Sequence, residues 1–199
     1  MTHRLRSLPL IWLIFAVLPG CSVWPDAPEP AALHDLGPYR PKRDAFPWSQ
    51  AILTNPDWLK DTGIDYRLLY ARPTERRSYT RDRWVAPPGA LLQQHLNNGL
   101  DPSGPRLRIE LQDFEQIFDR ADSARVVMVV QAIAEASQPD TKPASQAFRF
   151  EASAPSPDAA GALQAFPELI RKAEDEMADW VRQLTMPDRD SHKTIRRAD

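Results

Sequence analysis

Residues 125–136, RVVMVVQAIAEA, are a near-continuous β-branched and apolar run. Such a run suits a central strand covered on both faces, so Val127 and Val129 are both expected to be enclosed. Just upstream, RLRIELQDFEQIF (106–118) alternates Leu107, Ile109 and Leu111 with polar residues, then slips phase at Phe114, where a bulge or strand end is expected. The link DRADS between the two is short, which makes them an antiparallel hairpin.

Other elements gather around this pair. IDYRLLY (64–70) alternates through Ile64, Tyr66, Leu68 and Tyr70, and AFRFEA (147–152) through Phe148 and Phe150, after a loop around SQPDTKPAS. Residues 31–37 offer one more strand near the start. APPGALLQQHLNNG places Pro87 and Pro88 at a helix start, sets Leu91, Leu92, His95 and Leu96 on one side, and stops at Gly99. A second helix begins in SPDAAGAL, with Ser156 as its cap, Pro157 in the first turn and Asp158 at the positive end. Its apolar positions, from Leu163 and Phe166 through Ile170 and Met177 to Val181, step by three or four. Pro167 is expected to kink or restart it. The order strand, helix, three strands, helix predicts a single α+β domain, mainly an antiparallel sheet with two helices packed on one face.

The amino terminus places this domain. His3, Arg4 and Arg6 precede an apolar stretch from Leu8 to Leu18, which is about a dozen residues where a spanning helix needs about 20. It ends in Leu18-Pro19-Gly20-Cys21, and Cys21 is the only cysteine of 199 residues, so no disulfide can form within the chain. Leu-x-Gly-Cys resembles the bacterial lipobox, although Pro19 departs from the small residue usual there. The resemblance implies a signal peptide over 1–20, cleavage before Cys21 and acyl chains on its thiol. Prolines 25, 28 and 30 make 21–30 a tether, 31–185 is the domain, and 186–199 reads as a polar tail. The formal net charge of −2 becomes −4 once Arg4 and Arg6 leave with the signal peptide. That balance gives no electrostatic footprint for nucleic acid.

The chain carries no G-x-x-x-x-G-K-[ST] or G-x-G-x-x-G loop, and its four histidines show no zinc spacing. No metal, catalytic residue or cofactor beyond the acyl chains is therefore expected. His95 reads first as a histidine at the edge of the core and second as a pocket residue. The link 74–86, TERRSYTRDRWVA, is expected to join a strand to the first helix. It holds four arginines with Tyr79 and Trp84, residue types that dominate binding hot spots when exposed. Tyr79, Arg83 and Trp84 are the candidate partner-binding residues; the competing reading buries Trp84 under the helix and pairs Arg83 with an acid.

LLYARPTERRSYTRDRWVAPPGALLQQHL (68–96) resembles the ABC-type transport auxiliary lipoprotein family, the membrane-integrity and paraquat-inducible type, in its Tyr79, Arg83-Trp84 pair, Pro87, Pro88, Leu91 and Leu92. The likeness continues in LRIELQDFEQIFDRADSARVVMVVQAIA and in DAAGALQAF. It implies a fold like the amino-terminal domain of the Tol-system propeller protein. It also implies a non-catalytic accessory subunit of an ABC-type lipid transport system, beside an ATPase, a permease and a substrate-binding protein of the mammalian-cell-entry type. Asp82 and the basic stretch 40–44 (RPKRD) are not part of that pattern. Ser22 after the cysteine favours the outer membrane, with the domain in the periplasm and the inner membrane as the alternative site. A structural envelope-assembly lipoprotein and an envelope hydrolase are the alternative functions, and homo-oligomerisation is left open.

Acyl burial contributes about 0.8 kcal/mol per methylene, so a lipidated Cys21 holds the protein on a membrane without a spanning helix. Cys21→Ser is expected to block palmitate incorporation and processing and to release the protein from the membrane fraction. Unchanged labelling of the variant would reject the lipobox.

Overall fold

The computed structural model describes residues 29–39, 45–135 and 142–185. Leu18, Gly20, Cys21 and the tether through residue 28, the basic stretch 40–44, residues 136–141 of the last loop and the tail from 186 lie outside the described residues. The elements are β1 (Ala32–His34), β2 (Gln50–Thr54), a 3-10 turn (Asp57–Leu59), β3 (Gly63–Leu68), β4 (Arg76–Trp84), α1 (Pro88–Leu96), β5 (Arg106–Arg120), β6 (Ser123–Glu135), β7 (Ala144–Ser153) and α2 (Ala159–Thr185).

The expected hairpin forms: β5 and β6 pair antiparallel from Arg106↔Glu135 to Arg120↔Ser123. The phase slip is a bulge between Leu111 and Asp113, not a strand end. Leu107, Ile109 and Leu111 before it and Phe114 after it are all buried in the one core. β7 extends the sheet on the far edge of β6. The near edge of β5 is shared: β2 runs parallel to its first third and β3 parallel to Gln116–Phe118. β4 lies antiparallel on β3, and β1 closes that side parallel to β4.

The result is a single α+β domain with a seven-stranded mixed sheet: the long β5–β6 and β6–β7 pairings are antiparallel, as expected, while three short pairings are parallel. Residues 76–84 are a strand where a connecting link was expected. Only Tyr79 and Trp84 break their polar run, so no apolar alternation marks them, and their arginine stems and ion pairs supply the cover that apolar side chains give elsewhere.

The two helices close the structure in different ways. α1 lies against the outer edge of β2, where Leu53 N–H donates to Gln93 Oε1 at 2.8 Å and Ala51 N–H to Asn97 Oδ1 at 2.9 Å. Asn97 Nδ2 returns a bond to Ala51 O at 2.8 Å. One turn of helix thus presents two amides that satisfy strand groups otherwise left bare. α2 packs over β6 and β7 and buries Phe166, Ile170, Ala173, Met177 and Val181. It runs through Pro167 without restarting, and its cap is Asp158, not Ser156. Asp158 Oδ1 accepts Gly161 N–H at 2.8 Å, while Ser156 Oγ donates to the same carboxylate oxygen at 2.7 Å. Position 161 has to be glycine because a Cβ there would lie 2.0 Å from Ser156 O.

The core centres on three rings from three elements. Phe114 stacks on Phe166 at 4.4 Å between centroids, and Trp84 meets them at 5.9 and 5.3 Å. Losing either phenylalanine side chain costs about 3–5 kcal/mol by the usual cavity argument. Among the described residues the second face of β6 has no apolar layer over it, contrary to the sequence expectation. Val127 is buried, but its strand neighbours are Glu115 and Glu151, and Val129 is only half-buried beside Arg149. Cover on that side comes from long charged side chains, which the β-branched run does not announce.

Val127→Asp is therefore expected to abolish a cooperative melt, because it buries a third carboxylate between Glu115 and Glu151. Val129→Asp is expected to melt within a few degrees of wild type, having water and Arg149 at hand. Equal losses in thermal denaturation would show that the second face is enclosed after all.

Candidate functional site

Two of the concave regions and the exposed part of β4 bring together the polar groups with which this fold could act. On β4, Trp84 is 1% exposed and belongs to the aromatic core, so it presents no surface. Tyr79 packs at a tilt against Tyr66, 4.7 Å between centroids, and donates from its hydroxyl to Gln116 Oε1 at 2.6 Å. Gln116 Nε2 in turn donates to Asp158 O at 3.1 Å, which ties β4 and β5 to the start of α2. Burial pushes the Tyr79 phenol far above its ordinary value, with Tyr66, Asp158 and Asp82 adding to the effect, so it stays protonated and donating. Of the three residues singled out in the sequence, Arg83 alone points outward, joined by exposed Arg81. The neighbouring Asp82 is held by His34 Nε2 at 2.9 Å across the β1–β4 pairing.

The face of the sheet away from α2 holds an ion network that the sequence did not reveal. Glu115, 3% exposed, accepts Arg67 Nε at 3.1 Å and Arg67 Nη2 at 3.3 Å. Arg76 Nε lies 3.6 Å from the same carboxylate, and Arg76 Nη2 donates to Asp113 Oδ1 at 2.5 Å. Arg76 Nη1 lies 3.7 Å from Asp65 Oδ2 and makes no hydrogen bond among the described residues. Register explains the grouping: Arg67 faces Arg76 on β4 and Ile117 on β5, while the bulge turns Asp113 and Glu115 to the same side. Two fixed forks among three carboxylates make a rigid hydrogen-bonding surface. Among the described residues, no three His, Cys, Asp or Glu side chains are grouped to hold a metal.

Between α1, α2 and residues 36–39 lies a cleft of about 460 Å³. His95 Nδ1 stands 3.8 Å from Glu174 Oε1 inside it, too far for a hydrogen bond, and the Tyr39 ring meets His95 edge-on at 6.3 Å. Tyr39 is anchored by its hydroxyl to Asn98 O at 3.1 Å. His95 is thus both a core-edge residue and a pocket residue, and a cleft with convergent titratable groups does exist. Its lining holds no serine, threonine or cysteine, so water would be the nucleophile for any hydrolysis there.

Comparison with solved structures finds the same architecture elsewhere. Protein XCC0632 from Xanthomonas campestris, described by the family model DUF330, superposes with a TM-score of 0.61 at 16% identity, over 75% of this chain and 94% of its own. A second, an uncharacterised protein, matches with a TM-score of 0.57 at 14% identity, over 79% of this chain and 100% of its own. The likeness is one of fold. No family model matches the chain, and no curated protein matches it. Among the described residues no helix is long and apolar enough to cross a membrane.

Burial raises the Asp65 carboxyl above its ordinary value, and the bond from Ser78 Oγ at 2.5 Å and the nearby Arg76 charge offset this only in part. A raised folded-state value means the native state holds its proton longer than the unfolded chain. Stability from this group is full below the ordinary carboxylate range and is lost as pH rises through the raised value. Asp65→Asn, which can still accept from Ser78, is therefore expected to gain melting temperature over wild type as pH goes from strongly acidic to neutral. A difference that shrinks or reverses over that range would mean the Arg76 attraction outweighs the burial.

Proposed function

We propose that the protein is a lipid-anchored, non-catalytic accessory subunit of an ABC-type lipid transport system of the bacterial envelope, attached through Cys21 with its domain in the periplasm. The observation that carries this reading is the convergence of the segments resembling the auxiliary lipoprotein family. Trp84 of the Arg-Trp pair, Phe114 of Phe-Glu-x-x-Phe and Phe166 of DAAGALQAF meet in one ring cluster. The residues that carry the resemblance are thus ones on which the core depends, and they follow, in the same order, a segment that resembles the lipobox. The likeness to the amino-terminal domain of the Tol-system propeller protein is part of the same reading.

In such a system an ATPase and a permease supply energy and passage, and a mammalian-cell-entry-type protein carries the lipid. This chain then offers a surface. Arg81 and Arg83 are exposed on β4 within the segment that carries the resemblance. The alternative of an envelope hydrolase has one observation in its favour, the cleft with His95 and Glu174, and no positioned nucleophile. Outer-membrane anchoring follows from Ser22 by the usual sorting rule.

Affinity recovery of the full-length protein from crosslinked envelopes is expected to bring down the mammalian-cell-entry protein, the permease and the ATPase. Arg83→Ala with Arg81→Ala is expected to reduce that recovery with lipidation, abundance and melting temperature unchanged. Tyr79→Phe is expected to lower stability by about 0.5–1.5 kcal/mol, leaving recovery intact, because its hydroxyl serves Gln116. Recovery of outer-membrane assembly proteins instead would favour the structural alternative, and loss of an envelope phenotype in His95→Ala at unchanged recovery would favour the hydrolase.

A further inference from the structure

We infer that the open face of the sheet carries a glycan-binding site, built on Trp58 and the polar end of the β5 bulge. Trp58 sits on the 3-10 turn after β2 and is 58% exposed, whereas Trp48, Trp84 and Trp180 are all buried. A large indole left in water at the rim of a concavity calls for an explanation that a scattered surface leucine does not. The concavity beside it measures about 610 Å³, within the range of ligand sites, and opens where β2 has ended and β3 has not yet joined β5.

Its floor separates into two kinds of polar group. Arg67 and Arg76 are pinned by Glu115, Asp113 and Asp65 at the distances given above, so the floor is preorganised and its guanidiniums are fixed in place. Glu110 and Gln112 also line the concavity and are exposed, and neither takes part in the network below. Gln112 is the residue at the bulge that has no partner on β6, and it shares the open face with Glu110. A carboxylate and an amide free to bond, set around a rigid array and next to an aromatic plate, match one ligand chemistry well. Sugar hydroxyls pair with planar carboxylate, amide and guanidinium groups, while the weakly positive C–H face of a pyranose lies on the negative face of an indole. Charge narrows the choice. The lining balances two arginines, Arg67 and Arg76, against two carboxylates, Glu110 and Asp113, so it has no net positive charge to draw a phosphate or carboxylate ligand. A neutral oligosaccharide suits it. The site is independent of the transport reading, since neither β4's outward arginines nor the inter-helix cleft takes part.

The test uses the full-length protein in a polyoxyethylene detergent, titrated with chitotetraose and with maltotetraose, followed by calorimetry and by tryptophan emission. Saturable binding with a Kd of about 1 mM or tighter is expected for at least one of them. Chitotetraose alone would point to an N-acetylated wall-type glycan, maltotetraose alone or both to hexose chains more generally. The ligand-induced emission change is expected to vanish in Trp58→Phe, because Trp58 is the exposed indole among the described residues. Trp58→Ala is expected to weaken binding at least about tenfold, and Glu110→Gln and Gln112→Ala each several-fold, with melting temperatures unchanged. Absence of saturable binding by both sugars, equal affinity in Trp58→Ala, or binding of a tetralysine peptide in place of the sugars would overturn the inference, the last showing a cation site on the same indole.

Discussion

The bulge between Leu111 and Asp113 is the constraint on which the rest depends. A strand with a strict two-residue period that buries Leu107, Ile109 and Leu111 would bury Asp113 and Glu115 next and push Phe114 and Phe118 into water. One extra residue reverses that. Phe114 then reaches Trp84 and Phe166, and the two carboxylates reach Arg67 and Arg76 on the opposite face. The aromatic core and the ion network are therefore two outcomes of a single irregularity, and neither could form without the other.

The same strand decides how the sheet is shared. β5 is long enough to take β6 along one edge and two shorter strands, end to end, along the other. The interval between those two strands leaves room for the polar concavity, while the opposite face of the strand stays fully packed. The polar concavity and the packed core thus occupy different sides of one element, which lets the open side hold charges and an exposed indole at little expense to the core.

The hairpin, its phase slip and α1 between Pro87 and Gly99 were legible because periodicity and punctuation are local properties. β4 was not, since much of its cover comes from ion pairs with Asp113 and Glu115 on a strand distant in sequence, and β2 was not, since it is short and its outer edge is satisfied by side chains of a helix. The capping shift from Ser156 to Asp158 escaped notice because both residues suit the role and only geometry chooses. Trp84 could be read as core or surface from sequence, and the structure places it in the core. The ion network joins β3, β4 and β5 across long separations, and such groupings leave no motif. Trp58 carried no signal of its own beyond being a tryptophan beside Pro56 and Asp57.

The amides of Gln93 and Asn97 have a consequence for self-association. A sheet grows from molecule to molecule only if it can both accept and offer a bare edge. Here β2's edge is sealed by α1, and β1 at the end of the strand order is three residues long. β4 beyond the reach of β1 is also bare, but Arg76, Arg77 and Arg81 there oppose strand addition, which leaves β7, ten residues at the opposite end, as the longest edge open to pairing among the described residues. Two copies meeting through identical β7 edges would close on a twofold axis and leave nothing to extend. The fold thereby tolerates a pairing event without opening a route to fibres.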